Sequence, residues 1–146
     1  MAGIRQRARA LALQALYEAD LSGHPASQAV DRLFAESRLS EAGGRLAGHL
    51  VAAVIEHRER IDRIIQDAAP LWPLSQVAPV DRNVLRLAVG ELLFPPPEPA
   101  PLKAAINEVV DLAKQFGSEG SARFVNGVLG TVSGRMAELS PISERR

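Results

Sequence analysis

Residues 4–21 read IRQRARALALQALYEADL, and the spacing of their apolar side chains decides the fold class. One stripe repeats at intervals of mostly three and four residues: Ile4, Ala8, Leu11, Ala12, Ala15, Leu16 and Ala19. Such spacing is typical of an amphipathic helix that buries the stripe in a core. Arg9, Leu13 and Tyr17 are spaced by four on the other side, so we expect this helix to use a second face as well.

The rest of the chain repeats the helical spacing between breaks made by glycine and proline. No stretch alternates with period two for long enough to predict a strand. Predicted helices cover about residues 4–21, 26–37, 41–67, 79–92, 101–116 and 118–139. The proline-rich segment 95–101 is predicted to be a stiff loop rather than a domain linker, because neither flank has enough helices to close a core. The sequence therefore predicts an all-α fold of about six or seven helices.

Three prolines, at 70, 73 and 79, interrupt the segment between the third and fourth predicted helices. Its large apolar residues are predicted to plug the core from short helical turns: Leu71, Trp72, Leu74 and Val77. Large aromatic side chains dominate core burial, which favours the core for Trp72 over a role in stacking on a ligand.

The chain has 146 residues and no cysteine. This length fits one domain, which we expect to span residues 1–139 and to be followed by a disordered tail at 140–146. Without cysteine the chain forms neither disulfides nor thiolate metal sites. No apolar run approaches the roughly 20 residues needed to span a bilayer, so the expected location is the cytoplasm, with no membrane contact.

The sequence lacks the usual patterns of catalytic and metal sites. Its three histidines, His24, His49 and His57, are too few and wrongly spaced for a zinc site. The glycines at 43–44 and 127–130 do not follow a predicted strand, as a phosphate-binding loop does. We therefore expect a protein that is not an enzyme and that uses no metal or other cofactor.

The formal net charge is zero, from 17 basic and 17 acidic residues, so no global positive field attracts nucleic acid. The amino-terminal end differs, because Arg5, Arg7 and Arg9 all precede the first acidic residue, Glu18. A contact with a polyanion would start at this local basic patch. Stray arginines at a helix N-terminus would give the same pattern.

Two aromatic residues lie beside cationic or amide side chains: Tyr17 with Arg9, and Phe124 with Arg123 and Asn126. Proteins commonly hold single-stranded RNA by stacking bases on exposed aromatic rings, while arginine contacts phosphate and amides contact base edges. The alternative is that Tyr17 and Phe124 belong to the core or to a subunit contact. The residues alone leave both interpretations open.

Several sequence blocks occur in the order found in one known family. They are RAR at 7–9, ALQALY at 12–17, VDRNVLRLA at 80–88, AINE at 105–108, LAK at 112–114, FGS at 116–118 and FVNGVL at 124–129. On these blocks the chain resembles the NusB transcription antitermination family over about residues 5–129. The resemblance implies an all-helical, non-catalytic protein of the transcription elongation complex. It implies that this protein binds boxA RNA of nascent ribosomal transcripts together with NusE, a small-subunit ribosomal protein.

The resemblance also assigns residues to two faces. On the RNA face it places Arg5, Arg7, Arg9, Tyr17, Arg123, Phe124 and Asn126. On the NusE face it places Asp81, Arg86 and Glu91. Gly90 stands where the family usually has an aromatic residue, and this departure is expected to alter packing against the partner. Gly120 stands where an acidic residue is frequent, and the loss of that charge would remove a modest repulsion of phosphate.

Two further interpretations stay open at this point. The chain would also suit a homodimeric interaction module of the same fold that hides Tyr17 and Phe124 at its interface, as some family members do, with weak or masked RNA binding. It also resembles the amino-terminal RNA-binding region of small-subunit rRNA cytosine methyltransferases, an interpretation that needs a long catalytic domain after Arg146.

Overall fold

The computed structural model describes residues 3–139 and contains helices but no strand in that range. The helices are α1 (Ile4–Ser22), α2 (Ala26–Glu36), α3 (Glu41–Ala68), α4 (Pro79–Leu93), α5 (Leu102–Phe116), α6 (Ser121–Gly134) and α7 (Met136–Leu139), with one 3₁₀ turn at Leu74–Gln76. The all-α prediction is confirmed. The predicted tail at 140–146 lies outside the described residues. No helix between residues 3 and 139 has the length and apolarity needed to cross a bilayer.

Helix α4 is the centre of the fold, because it packs against α1, α3, α5 and α6. Every residue from Asn83 to Glu91 is buried. A helix that is buried all round is enclosed by other elements, and here the VDRNVLRLA block supplies core on more than one side. Full burial of a side chain such as Leu85 or Leu87 contributes about 1.5–3 kcal/mol to stability.

Helix α1 packs against α2, α3 and α4 and carries the predicted apolar stripe. The stripe is buried from Ala8 to Leu16, whereas Ile4 is exposed at the start of the helix. Leu13, on the predicted second face, is buried as well. Tyr17 is half-buried on the same face. Helix α1 therefore contacts other parts of the protein through two faces, as its spacing predicts.

The segment between α3 and α4 differs from the prediction. Val77 is buried and Leu74 packs against the core, but Leu71 is 90% exposed and Trp72 is 60% exposed. The prediction that these last two side chains plug the core is wrong. The chain turns just after α3, where the Trp72 amide donates to the Ala69 carbonyl at 3.1 Å, and this turn leaves both side chains outside the helices.

Helix α3 bends at His57, whose φ of −116° and ψ of 23° are not helical. The His57 ring stacks on Phe94, with ring centroids 3.6 Å apart. Gly90 lies against α3 near this bend, since a Cβ at position 90 would be 3.2 Å from Val54 Cγ2. The departure from the family at Gly90 therefore falls in the buried contact between α3 and α4, and it does not alter an open partner surface directly.

Candidate nucleic-acid interface

An open groove with a volume of about 760 Å³ runs between α1, α2 and the ends of α4 and α5. Arg7 and Tyr17 line it from α1, Val80 from the start of α4, and Phe116 from the end of α5. Phe116 is 46% exposed and was not predicted as a site residue. Its sequence signals are its place beside Gly117, where α5 ends, and its membership of the FGS block at 116–118. The groove brings two aromatic rings and an arginine to one surface.

Phe124 lies on α6 and is half-buried. Its ring meets Trp72 in a T-shaped contact, with centroids 6.3 Å apart and ring planes at 73°. Arg123 and Asn126 beside it are exposed, and neither forms a side-chain hydrogen bond with residues 3–139. The predicted aromatic residues therefore belong to two patches, one around Tyr17 and one around Phe124. Helices α1 and α6 both pack against α4, which fixes the two patches relative to each other.

Two of the three amino-terminal arginines reach the surface. Arg7 is exposed and donates to a backbone carbonyl at 3.5 Å, which is at the limit of a hydrogen bond. Arg5 is half-buried and donates to the carbonyl of Glu98 in the proline-rich loop. With Arg45 and His49, Arg5 lines a second cavity of about 510 Å³ beside that loop. Both arginines therefore keep part of the basic patch accessible.

Arg9 is a correction to the sequence prediction, because its side chain is only 1% exposed. Its Nε and Nη2 donate to the two carboxylate oxygens of Glu91 at 2.8 and 2.7 Å, and its Nη1 donates to Glu108. Burial opposes the charge on Arg9, but the hydrogen bonds and charges of the two glutamates outweigh it and raise the pKa of Arg9. A guanidinium held in this way is not available to a phosphate, so the prediction of an exposed Arg9 is wrong.

The three residues assigned to the NusE face are also buried. Arg86 Nε donates to Asp62 Oδ1 at 2.9 Å, and Glu91 is paired with α1. Asp81 differs, because its Oδ1 has no hydrogen-bond partner among residues 3–139. The assignment of the helix around Asp81, Arg86 and Glu91 to the NusE face stays a prediction, but these three side chains lie in the interior. Arg86 and Glu91 instead hold the neighbouring helices against α4.

A second network of charges, which is partly buried and which the sequence did not predict, joins α1 to the start of α4. Asp20 Oδ2 accepts hydrogen bonds from Arg82 Nη2 at 2.8 Å and Asn83 Nδ2 at 2.9 Å, and Arg86 Nη1 lies 3.3 Å away. Burial alone would raise the pKa of Asp20, but these hydrogen bonds and charges lower it below its ordinary value. Asp20 follows Tyr17 by three residues, so the network fixes the part of α1 that carries this ring. A buried arginine needs an acidic partner, so the arginines in the apolar sequence of α4 are the sequence signal that could have predicted this network.

The model of the NusB family matches residues 6–134. This chain belongs to the NusB family. A transcription antitermination protein NusB from Roseiflexus castenholzii is 51% identical over 140 residues, which cover 96% of this chain and 99% of that protein. NusB from Chloroflexus aggregans is 48% identical over 132 residues, which cover 90% of this chain and 88% of that protein. The resemblance seen in the sequence blocks is confirmed.

Solved structures of NusB proteins share this fold. T. maritima NusB aligns with a TM-score of 0.85 at 29% identity, over 99% of both chains. A structure of the antitermination factors NusB and NusE in complex with double-stranded RNA aligns with a TM-score of 0.81 at 31% identity. That alignment covers 92% of this chain and 98% of the other. The NusB relatives are transcription antitermination proteins, which are not enzymes, and this member of the NusB family is likewise non-catalytic.

Proposed function

We propose that this NusB-family protein is an RNA-binding transcription antitermination factor that binds boxA RNA of nascent ribosomal transcripts together with NusE. One observation carries the proposal: the chain shares its fold, at 31% identity, with a protein of a NusB–NusE complex that contains RNA. In this proposal residues 1–139 act as one RNA-binding unit within the transcription elongation complex, in the cytoplasm.

The proposed RNA face combines cationic, aromatic and amide groups on the two patches. Arg7 and Arg123 are exposed cations for phosphate, and Tyr17 and Phe124 are partly exposed rings for bases. Asn126 is exposed and offers an amide to a base edge. Because the net charge is zero, affinity depends on these local groups rather than on a general positive field. Arg9 is left out of this face because it is buried.

Arg5 flanks the proposed face from the side of the proline-rich loop. It donates to the Glu98 carbonyl, and Arg5 and Arg45 line the same cavity together with Glu98, so a phosphate in this cavity would have two cations in the surrounding wall. Each cation that neutralises a phosphate releases counterions from the RNA and strengthens binding at low salt. We assign Arg5 to the edge of the RNA face for this reason.

NusE is the proposed partner, because a domain with no net charge has no general positive field to attract RNA by itself. Asp81 is buried in the first turn of α4, so we propose that it belongs to the NusE side through the position of this turn rather than through a direct contact of its carboxylate. Arg86 and Glu91 are proposed to act from the interior, where they keep α4 in place against α3 and α1.

Fluorescence anisotropy of labelled boxA RNA tests the proposal, with a scrambled RNA of the same length as the control. We expect tighter binding of boxA RNA than of scrambled RNA, and a higher affinity when NusE is saturating. By linkage, RNA should raise the affinity for NusE by the same factor. Equal affinities for the two RNAs in the presence of NusE would overturn the proposal.

A homodimer that covers the groove around Tyr17 is the second candidate function. The observation that favours it is Phe116, a large ring that stays 46% exposed beside an apolar groove. Sedimentation velocity over a range of protein concentrations, with and without RNA, separates the two candidates. A monomer at every concentration removes the homodimer, whereas a dimer that RNA does not dissociate favours it.

A further inference from the structure

Trp72 is the one tryptophan of the chain, and it is 60% exposed on the loop between α3 and α4. Tryptophan carries a large apolar surface that normally contributes to a core or an interface. Exposed rings of this size are enriched at the centres of binding surfaces. Neither the proposed RNA face nor the contact with NusE uses this side chain, so its exposure calls for another explanation.

The loop holds Trp72 in a fixed position. The side chain of Gln66 in α3 donates to the carbonyls of Ala69 at 3.1 Å and Trp72 at 2.8 Å, and its Oε1 accepts from the Leu74 amide at 2.8 Å. Pro73 follows Trp72 directly and restricts the backbone further. Because one side chain ties three backbone groups together, the exposed indole is presented by an ordered loop and loses little conformational entropy on binding.

The exposed indole is next to the proposed RNA face. Trp72 meets Phe124 in a T-shaped pair with ring centroids 6.3 Å apart, and most of the indole remains open to a second contact. Arg123, adjacent to Phe124, is an exposed cation without a described partner. An aromatic platform with a neighbouring arginine matches what a nucleotide needs, since the base stacks and the phosphate is neutralised.

We propose that Trp72 stacks on an unpaired base of the RNA that binds at Phe124, so that the two rings together hold consecutive or neighbouring bases. This inference rests on the proposed RNA-binding function, because Phe124 belongs to that RNA face. It extends the proposed RNA face, which so far consists of residues of α1 and α6, by one aromatic ring on the loop before α4. If Trp72 instead contacts a protein surface, the substitutions below will show it.

The single tryptophan makes the first measurement direct, because fluorescence excited at the red edge of the indole absorption, where tyrosine does not absorb, comes from Trp72 alone. Single-stranded boxA RNA is titrated into the full-length chain, and labelled-RNA anisotropy is measured in parallel. We expect the RNA to quench Trp72 fluorescence with the same midpoint as the anisotropy change, because a stacked base contacts the indole directly. RNA binding that leaves the fluorescence unchanged would overturn the inference.

Substitutions give the second measurement. Trp72→Ala should lower RNA affinity roughly 5- to 150-fold, the effect of removing one stacked base, while Trp72→Phe should retain most of the affinity. Leu71→Ala is the matched control, because Leu71 is the adjacent and more exposed apolar side chain and has no ring on which a base could stack. All three variants should keep the urea midpoint of the parent chain, since both side chains are exposed.

Abasic RNA locates the stacked base. Replacing one nucleotide at a time by an abasic site keeps the phosphates and removes a single ring, so it isolates stacking from charge. At one position we expect the abasic change to weaken binding to the parent chain but to have no further effect on Trp72→Ala. Additive losses at every position would overturn the inference.

The outcomes also separate this inference from the proposed function. If the parent chain binds boxA RNA and Trp72→Ala binds it equally well, the inference fails and the proposed function stands. If Trp72→Ala loses affinity for NusE and none for RNA, Trp72 is a protein contact and the inference fails. If the parent chain binds no RNA even with NusE, the proposed function fails and the inference fails with it.

Discussion

Arg9 in α1 and Glu91 in α4 form a bidentate ion pair in the interior, with Nε–Oε1 and Nη2–Oε2 distances of 2.8 and 2.7 Å. Two parallel hydrogen bonds fix the planes of the guanidinium and the carboxylate relative to each other. The pair therefore orients α1, which carries Arg7 and Tyr17, against the central helix. An arginine that the sequence favours as an RNA contact instead positions the groups around it.

Arg9→Ala is expected to lower the free energy of unfolding by about 3–5 kcal/mol, because it leaves the Glu91 carboxylate buried without its partner. Urea denaturation measures this change. Arg9→Met combined with Glu91→Leu should cost less, since no buried charge remains unpaired between these two positions. Arg32→Ala removes an exposed pair with Glu18 and is the control that should leave the midpoint unchanged. A normal midpoint for Arg9→Ala would contradict the structural role.

Arg7→Ala combined with Arg123→Ala should weaken RNA binding and reduce the slope of log affinity against log salt by about one to two units. Both side chains are exposed, so the circular dichroism spectrum should not change. Arg63→Ala removes an exposed cation from α3 and serves as the control. If the double variant and the control have the same slope, these two arginines do not contact phosphate.

Tyr17→Ala and Phe124→Ala should each reduce RNA affinity roughly 5- to 150-fold if each ring stacks on a base. Both rings are half-buried, so their urea midpoints should fall less than that of Leu50→Ala, which truncates a fully buried side chain at a cost of about 2–5 kcal/mol. RNA titration and urea denaturation of the same preparations separate the two roles. A Phe124→Ala protein that binds RNA normally but unfolds as early as Leu50→Ala would assign this ring to the core.

The Asp20 network should make stability depend on pH in the acid range. The pKa of Asp20 is lowered in the folded chain below the ordinary value of 3.8, so folding favours its ionised form. Its contribution is complete above that ordinary pKa and is lost as the pH falls through the lower, folded-state pKa. Unfolding free energies from about pH 7 down to about pH 2.5 should therefore fall more steeply for the parent chain than for Asp20→Asn. Parallel curves would show that Asp20 is not the group responsible.

Gly120, the residue before α6, has a left-handed backbone conformation that a substitution can test. Its φ of +92° is one that residues with a Cβ rarely adopt, so Gly120→Ala should destabilise the fold by about 1–2 kcal/mol. Gly130→Ala is the matched control within α6, because position 130 is exposed and a Cβ there meets nothing within 4 Å. The control should stabilise the protein by up to about 1 kcal/mol. Equal thermal midpoints for the two variants would contradict this account of Gly120.

Local spacing predicted the helices well because each helix buries a repeating stripe, and the sequence blocks led to the family. It could not predict that Arg9 is buried, because its partner Glu91 is 82 residues away in the sequence. The spacing of four between Arg9 and Leu13 fits an exposed face and a buried face equally well. The same limit applies to Arg86, whose partner Asp62 lies in another helix. Buried ion pairs depend on which helices meet, and periodicity within one helix does not contain that information.

Trp72 shows a different limit of sequence reasoning. Its size favours the core, but its position depends on a turn just after α3 and on one glutamine side chain that donates two hydrogen bonds to the loop backbone and accepts a third. These are specific polar contacts rather than a pattern of hydrophobicity. Phe116 was missed for a related reason, since a ring at the end of a helix carries no periodic signal that separates a groove wall from a core residue.

The two ion-pair networks also set the register of α1. Arg9 and Asp20 are separated by about three helical turns, so they face the same side of α1. Arg9 pairs with Glu91 near the end of α4, and Asp20 pairs with Arg82 near its start. The two helices therefore run antiparallel, with an ion pair near each end. One residue inserted between Arg9 and Asp20 would rotate these two side chains by about 100° relative to each other about the helix axis and break one of the two ion pairs. The two ion pairs thus constrain the number of residues between Arg9 and Asp20 as well as the identity of these two side chains. The groove that this part of α1 lines therefore has a fixed length.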